Sequence, residues 1–320
     1  MTITKIPLVS VIVPNYNHAC YLCQRLDSIL AQDYQNFEVI ILDDHSCDKS
    51  MEIISQYASH PRVSHVIRNT ENSGSPFAQW QRGLSKAKGE IVWIAESDDY
   101  CKTYLLSSLV DTYVRNHCVL AFTRSMIVNV DGKEEGVCQR RFFHHDQHWD
   151  GKMFIRKYMS LGNRVVNASS AIFSRKAAMN ADKRFMDFKE SGDWMFWIEI
   201  AKQGNVAVVS EPLNYFRRSP QTNTSKATLE GKTDIEDKAV FDYLHANGLM
   251  PMSAAFNKKK RMAVRLMYDT HRFGNEAIRK SVMEAWHLPA HYYVFAKVSH
   301  WFRTCLIQGP THRKPHQQPS

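Results

Sequence analysis

The sequence predicts an α/β fold, a largely parallel sheet covered by helices and followed by a helical extension. Three observations predict it. Short apolar runs alternate with stretches of helical period over the first hundred residues, the βαβ rhythm of a parallel sheet with helices on both faces. The runs lack polar alternation, as strands buried on both faces do. Three of them, VIVPNYN, ILDDHS and IAESDDY, then end abruptly in polar residues, at the sheet edge where such folds place ligands.

Taken in order, LVSVIVPNY is a strand ending in a Pro-Asn turn, and HACYLCQRLDSILAQ is a helix with Tyr21, Leu22, Leu26, Ile29 and Leu30 on one side. FEVIILDD is the second strand, and DKSMEIISQYAS the next helix, with Asp48 as its N-cap. RVSHVIRN is the third strand. In NSGSPFAQWQRGLSKAKG, Ser75 caps a helix, Pro76 suits its first turn and Gly89 terminates it. EIVWIA is the fourth strand. LAFTRSMIVNVDGK and SSAIFSRKA follow as strands of a mixed sheet, GDWMFWIEIAKQG as a helix, and NVAVVSEPLNYFRR as a strand pair. Residues 220–235 are polar and turn-rich, which predicts a mobile loop. Helical pattern then runs from about residue 236 to 306, broken near Pro251 and Pro289, before a disordered end.

The 320 residues, 44% hydrophobic, suffice for a substantial core. No apolar run reaches the roughly 18 residues of a membrane span, and the opening MTITKIPLVS does not read as a signal peptide. Seven scattered cysteines read as free thiols of a cytoplasmic protein, and C-x-x-C at Cys20 and Cys23 as inert. The net charge of +9 is segregated: from Asn257 onward there are 12 Lys and Arg against 3 Asp and Glu, while the preceding residues carry 29 of each.

In a parallel sheet the three polar strand ends share one edge, so Asp43, Asp44, Glu96, Asp98 and Asp99 are expected to crowd one cleft. Glu96, Asp98 and Asp99 fall within four residues and repel one another, which capping alone does not require. Such a site suits Mg²⁺ or Mn²⁺, bound by carboxylate oxygens and by substrate phosphates. HHDQHWD, His144 to Asp150, lacks partners at structural-zinc spacing and reads as a solvated loop.

These stretches, VSVIVPNYN, VIILDDHSCDKS, ENSGSPFAQWQRGL, KGEIVWIAESDDY and SGDWMFWIEI, in this order and spacing over about residues 8–220, resemble the family 2 glycosyltransferases of GT-A fold. The resemblance implies transfer of a sugar from a nucleotide donor, usually with inversion. It places Pro14, Asn15 and Tyr16 on the nucleotide, Asp44 (in preference to Asp43) on the uracil N–H, and Glu96 and Asp98 in the two acidic positions of an Asp-x-Asp motif, with Ser97 between them. Asp98 is then the metal ligand, with Asp99 beside it, and Glu96 departs from the usual Asp by one methylene. Gly74 allows close approach to the donor, and Arg82 is either a phosphate contact or a surface ion-pair former. Asp193 matches the base that deprotonates the acceptor; the alternative role is the N-cap of its helix, and one residue can serve as both. Trp194, Asn167 and Ser169 are the acceptor-side candidates. The membrane spans and Gln-x-x-Arg-Trp signature of processive members are missing, which favours single additions.

The expected organisation is therefore a catalytic domain over residues 1–235, with a donor half to about 120 and an acceptor half from 121 to 220. A basic helical region follows over 236–307, then a tail over 308–320. In the helical region Val282, Met283, Trp286, Tyr293, Val298, Trp301 and Cys305 recur near helical spacing. Two readings remain open: packing on the catalytic domain, or contact with an anionic inner membrane, which fits a lipid-linked saccharide acceptor. No nucleic-acid motif accompanies the charge. The rival functions are a sugar nucleotidyltransferase, which calls for a Gly-rich basic loop that VPNYNHACYL lacks, and a non-catalytic membrane-associated scaffold, which predicts no metal-dependent nucleotide binding.

Overall fold

The computed structural model of the chain describes residues 6–139, 141–218 and 227–307, with side chains through residue 302 in the last stretch. The first half alternates as expected: β1 (Val9–Asn15), α1 (Ala19–Leu30), β2 (Phe37–Asp43), α2 (Ser50–Tyr57), β3 (Val63–Arg68), α3 (Pro76–Lys86) and β4 (Ile91–Ile94). There follow β5 (Tyr100–Cys101), α4 (Leu105–Arg115), β6 (Cys118–Val128), β7 (Glu134–Val137), β8 (Gln147–Asp150), α5 (Gly151–Lys157), β9 (Ala171–Ser174), α6 (Arg175–Asn180), α7 (Gly192–Ala201) and β10 (Asn205–Arg217).

The strands form one mixed sheet in the order β3-β2-β1-β4-β9-β6-β10-β5, with β7 on β6 and β8 on β10. β3, β2, β1 and β4 are parallel, and β9 runs antiparallel between β4 and β6. Every residue of β1, β2 and β4 is buried, which is why their sequences are unbroken apolar runs. β3 alternates between half-buried and exposed positions, as an edge strand does. Val11, Val13, Leu22, Leu26, Ile41, Trp93 and Leu109 belong to the core on one face of this sheet.

Several local expectations are corrected. The predicted strand pair is a single strand, β10, carried past Pro212 by register shifts against β6 between Val209 and Asn214. HHDQHWD supplies β8, which pairs with β10 rather than forming a loop. α3 ends at Lys86, ahead of Gly89, and Ser75 occupies its N-cap without a side-chain cap bond. Lys49, not Asp48, is the residue before α2, yet the Asp48 carboxylate accepts from both Ser50 N–H and Ala19 N–H and so serves two helix starts.

The chain divides into two compact units between residues 225 and 226. The second holds α8 (Lys232–Ala246), α9 (Met252–Tyr268), α10 (Glu276–Trp286) and α11 (Ala290–Ile307). α8 begins within the stretch expected to be a loop, and the expected domain boundary at residue 235 falls inside it. Residues 219–226 of that loop and the tail from 308 lie outside the described residues. Phe241, Met262, Leu266, Phe273, Val282 and Trp286 form this unit's own core, and the Trp286 indole N–H donates to the Asp234 carbonyl at 2.9 Å.

Candidate active site

The order β2-β1-β4 brings three carboxyl ends side by side, with Asn15 paired to Asp43 and Ile12 to Ile94. Outside them lies a cleft of about 400 Å³. Pro14, Asn15 and Tyr16 from the end of β1 line it, with Asp44, Gly74, Glu96 and Ser97, so seven of the expected donor residues meet there. Gly74 has φ +66°, a left-handed conformation that a side chain disfavours. His18, Asn72, Ser75, Pro76 and Gln79 complete the lining.

The two neighbouring aspartates have different work. Asp43 is fully buried behind the cleft, where it accepts from Asn15 Nδ2 (3.0 Å) and Ser46 N–H (3.0 Å), bracing the β1 and β2 ends. Asp44 reaches the cleft. Its Oδ1 accepts from Asn69 Nδ2, Ser73 N–H (2.9 Å) and Gln79 Nε2 (2.8 Å), while Oδ2 accepts, among the described residues, only from the Ser73 hydroxyl (2.8 Å). Oδ2 thus retains lone-pair capacity on a side chain fixed by four hydrogen bonds. Arg82 does not line the cleft: it donates to Asn69 Oδ1, and so supports Asp44 at one remove.

The acidic loop after β4 is held from three sides. Glu96 is partly buried, accepts from Trp80 Nε1 (2.9 Å), and donates its backbone N–H to Ser169 Oγ (3.0 Å). Ser97 Oγ is hydrogen-bonded to His18 Nδ1 at 2.8 Å, and burial lowers the proton affinity of that imidazole, with Asp48 and Asp99 opposing. Burial, then repulsion from Asp98, pushes the Glu96 pKa up to about 8. The same two causes raise Asp99 to about 7, and burial raises Asp98.

Asp99 is not the second cleft carboxylate expected of it. It is 1% exposed, and its two oxygens accept from Arg217 N–H (3.0 Å) and Asn167 Nδ2 (2.9 Å). Asn167 and Ser169, expected on the acceptor side, are instead buried supports of the acidic loop. Arg217 clamps the loop further, donating to the Asp98 carbonyl (3.0 Å) and to Gln24 Oε1 (2.9 Å). Arg25 on α1 is fully buried over the Trp93 ring and attracts all three carboxylates; its guanidinium has no hydrogen-bond acceptor among the described residues. Sequence reasoning missed both arginines. His18 had a signal, its place directly after PNYN.

Asp193, expected on the acceptor side, lies in the first turn of α7, where its carboxylate accepts from Asn163 Nδ2 (2.8 Å) and Trp194 N–H (2.6 Å). Gly192 brings α7 against α3: a Cβ there would stand 2.4 Å from the Phe77 ring, and Phe77 directly follows the cleft residue Pro76. Trp194 offers no stacking face to a sugar. It is 3% exposed, with its indole N–H on the Met159 carbonyl. Trp197 is buried among Trp80, Phe173 and Phe196.

The description Glycosyl transferase family 2 matches residues 10–182, more than half of the chain. The chain belongs to this family. It is 35% identical over 126 residues to the putative teichuronic acid biosynthesis glycosyltransferase TuaG of Bacillus subtilis, covering 39% of this chain and 50% of that protein. The chain spans about half the length of the curated relatives it matches first. Its fold is similar to residues 1–349 of S. aureus TarS in complex with UDP-GlcNAc, with a TM-score of 0.66 and 19% identity over 92% of this chain and 87% of that one. It is also similar to the mannosyltransferase PcManGT from Pyrobaculum calidifontis in complex with GDP-Man and Mn²⁺, with a TM-score of 0.53 and 19% identity over 94% and 88%. At such identities the likeness is one of fold, and the fold is the expected GT-A.

Proposed function

We propose that this family 2 glycosyltransferase moves one sugar from a UDP-sugar to a lipid-linked saccharide, with inversion and with a divalent cation, in the assembly of a bacterial cell-wall polysaccharide. The observation that carries the reading is the cleft itself, with Asp44 fixed on one wall and the acidic loop at its end. The likeness to a putative teichuronic acid enzyme supports the pathway class, and the fold neighbours that hold UDP-GlcNAc or GDP-Man with Mn²⁺ support the donor and the cation.

The chain's own residues fit a cation. The Asp98 carboxylate accepts no hydrogen bond from another residue among those described, and burial raises the proton affinities of Glu96, Asp98 and Asp99 despite the attraction of Arg25. No group of three potential ligands exists among the described residues; Asp98 is the residue that would hold a divalent ion, with the substrate's phosphates. Such an ion neutralises charge on the departing nucleoside diphosphate. Asp44 Oδ2 accepts from the base N–H, and Pro14, Asn15 and Tyr16 border the nucleotide. Asp193 takes the proton of the acceptor hydroxyl, whose oxygen bonds to the anomeric carbon as the bond to the diphosphate breaks on the opposite face. Asn163 holds the Asp193 carboxylate for this task.

Calorimetric titration with UDP, dTDP and GDP, with and without Mn²⁺, tests the reading. UDP is expected to bind only with Mn²⁺, and Asp98→Ala to abolish that binding in a folded protein. Failure of every nucleotide to bind overturns the donor cleft and favours the scaffold.

A further inference from the structure

α11 buries only one of its faces. Tyr292 and Ala296 face the core of the second unit, and His300 stacks on Tyr268 of α9 at 3.8 Å. On the other side Val294, Phe295, Val298, Trp301 and Phe302 are between 44% and 60% exposed. At 100° per residue these five occupy an arc of about 120°, a continuous apolar stripe along the helix. Of the residues whose helical spacing stood out in the sequence, Val282 and Trp286 are core, Val298 and Trp301 lie in this stripe, and Cys305 is outside the described side chains.

The stripe is bordered by cations. Lys297 is exposed on α11 itself. Lys260 of α9 places its ammonium 5.9 Å from the centroid of the Phe256 ring, which in turn packs edge-on against Phe295 at 5.2 Å. A protruding apolar stripe with ammonium groups on its flank is the pattern of a helix that lies in a membrane interface, its apolar face in the acyl boundary and its lysines among anionic headgroups. Covering the stripe with a second copy would instead oppose these lysines to their own counterparts. No helix among the described residues is long and apolar enough to cross a bilayer, so the contact is lateral.

We infer that the outward face of α11, from Val294 to Phe302, docks this protein flat on an anionic lipid bilayer. The inference deepens the lipid-linked acceptor proposed above, since it names the surface through which the enzyme reaches that acceptor, but its test does not depend on turnover.

The full chain is to be mixed with vesicles of phosphatidylcholine alone and of phosphatidylcholine with phosphatidylglycerol, with and without brominated acyl chains. The protein is expected to sediment with the anionic vesicles, to be released by salt, and to have its Trp301 emission quenched by bromine; the other six tryptophans are buried. The double variant Trp301→Ser, Phe302→Ser is expected to lose at least about tenfold in partitioning, and Lys297→Glu to lose the preference for anionic vesicles, with Mn²⁺-dependent UDP binding unchanged in both. Wild-type protein that ignores anionic vesicles overturns the inference. So does a double variant that partitions like wild type, or a solution dimer that the double variant dissociates, which would assign the stripe to a second copy. Should UDP fail to bind while vesicle binding holds, the donor reading falls and this one stands.

Discussion

Glu96 sits where burial and Asp98 both oppose its charge, so its pKa rises from 4.5 to about 8, and that of Asp99 from 3.8 to about 7. Between those limits the folded chain keeps protons that the unfolded chain releases, so stability falls as pH rises and the loss is complete above about pH 8. In the absence of divalent cations the melting temperature is therefore expected to drop between pH 5 and pH 8, a window above the range in which the low-pKa carboxylates Glu38 and Asp48 protonate. Glu96→Gln keeps an acceptor for Trp80 Nε1 and removes one titrating group, so it is expected to flatten this slope and to raise the metal-free melting temperature at pH 8. Saturating Mn²⁺ should reverse the slope, because a cation binds the deprotonated carboxylates. Thermal melts across pH, with EDTA or Mn²⁺, check all three; a metal-free protein that gains stability toward pH 8 contradicts the account. Glu96 and Asp98 were legible because they end a buried strand in a cluster of like charge. Their counter-charges were not. Arg25 stands in a helix whose apolar side is read from Tyr21, Leu22, Leu26, Ile29 and Leu30, and nothing local says that a guanidinium there is buried. Arg217 is far from Asp98 in sequence, and only the pairing of β10 with β5 and β6 brings it under the loop.

Whole elements were easier to read than their partners. The alternation of β1 to β4 with α1 to α3 follows from burial on both faces, a property each segment carries in its own composition. β5, β7 and β8 are two to four residues long and exist only through their neighbours, so their segments show no period of their own. The same holds for the meeting of α3 and α7, which decides where Asp193 stands. Gly192 is within overlap distance of Phe77 and of the Phe185 carbonyl, at 2.4 and 2.5 Å from a virtual Cβ, so α7 starts where it does because no side chain intervenes. Gly192→Ala is expected to cost about 1–3 kcal/mol of stability as the helix start is pushed off Phe77. Because the displacement falls on the turn that carries Asp193, turnover is expected to fall more than tenfold while Mn²⁺-dependent UDP affinity stays near wild type. Calorimetric melts, UDP titration and steady-state transfer on one preparation separate these effects; lost nucleotide affinity with intact turnover would show that α7 serves the donor side instead.

At the scale of the molecule, charge and core are both partitioned. The residues before Asn257 are neutral in sum, the excess of +9 lies beyond them, and each compact unit has a hydrophobic core of its own. Every described residue that lines the cleft or braces the acidic loop precedes residue 218, so a nucleotide bound there as proposed would stabilise the first unit directly. Calorimetry is expected to resolve two unfolding transitions. At a UDP concentration about a hundredfold above Kd, with Mn²⁺, the larger transition should gain about 2.7 kcal/mol by mass action. That corresponds to roughly 5–10 °C for a unit of this size. The smaller transition should stay where it was. It should respond instead to the salt concentration that governs lysine-rich α9 and to anionic vesicles that cover α11. One transition that moves as a whole with UDP would mean that the helical unit unfolds with the catalytic one, and that the separate cores act as a single cooperative structure.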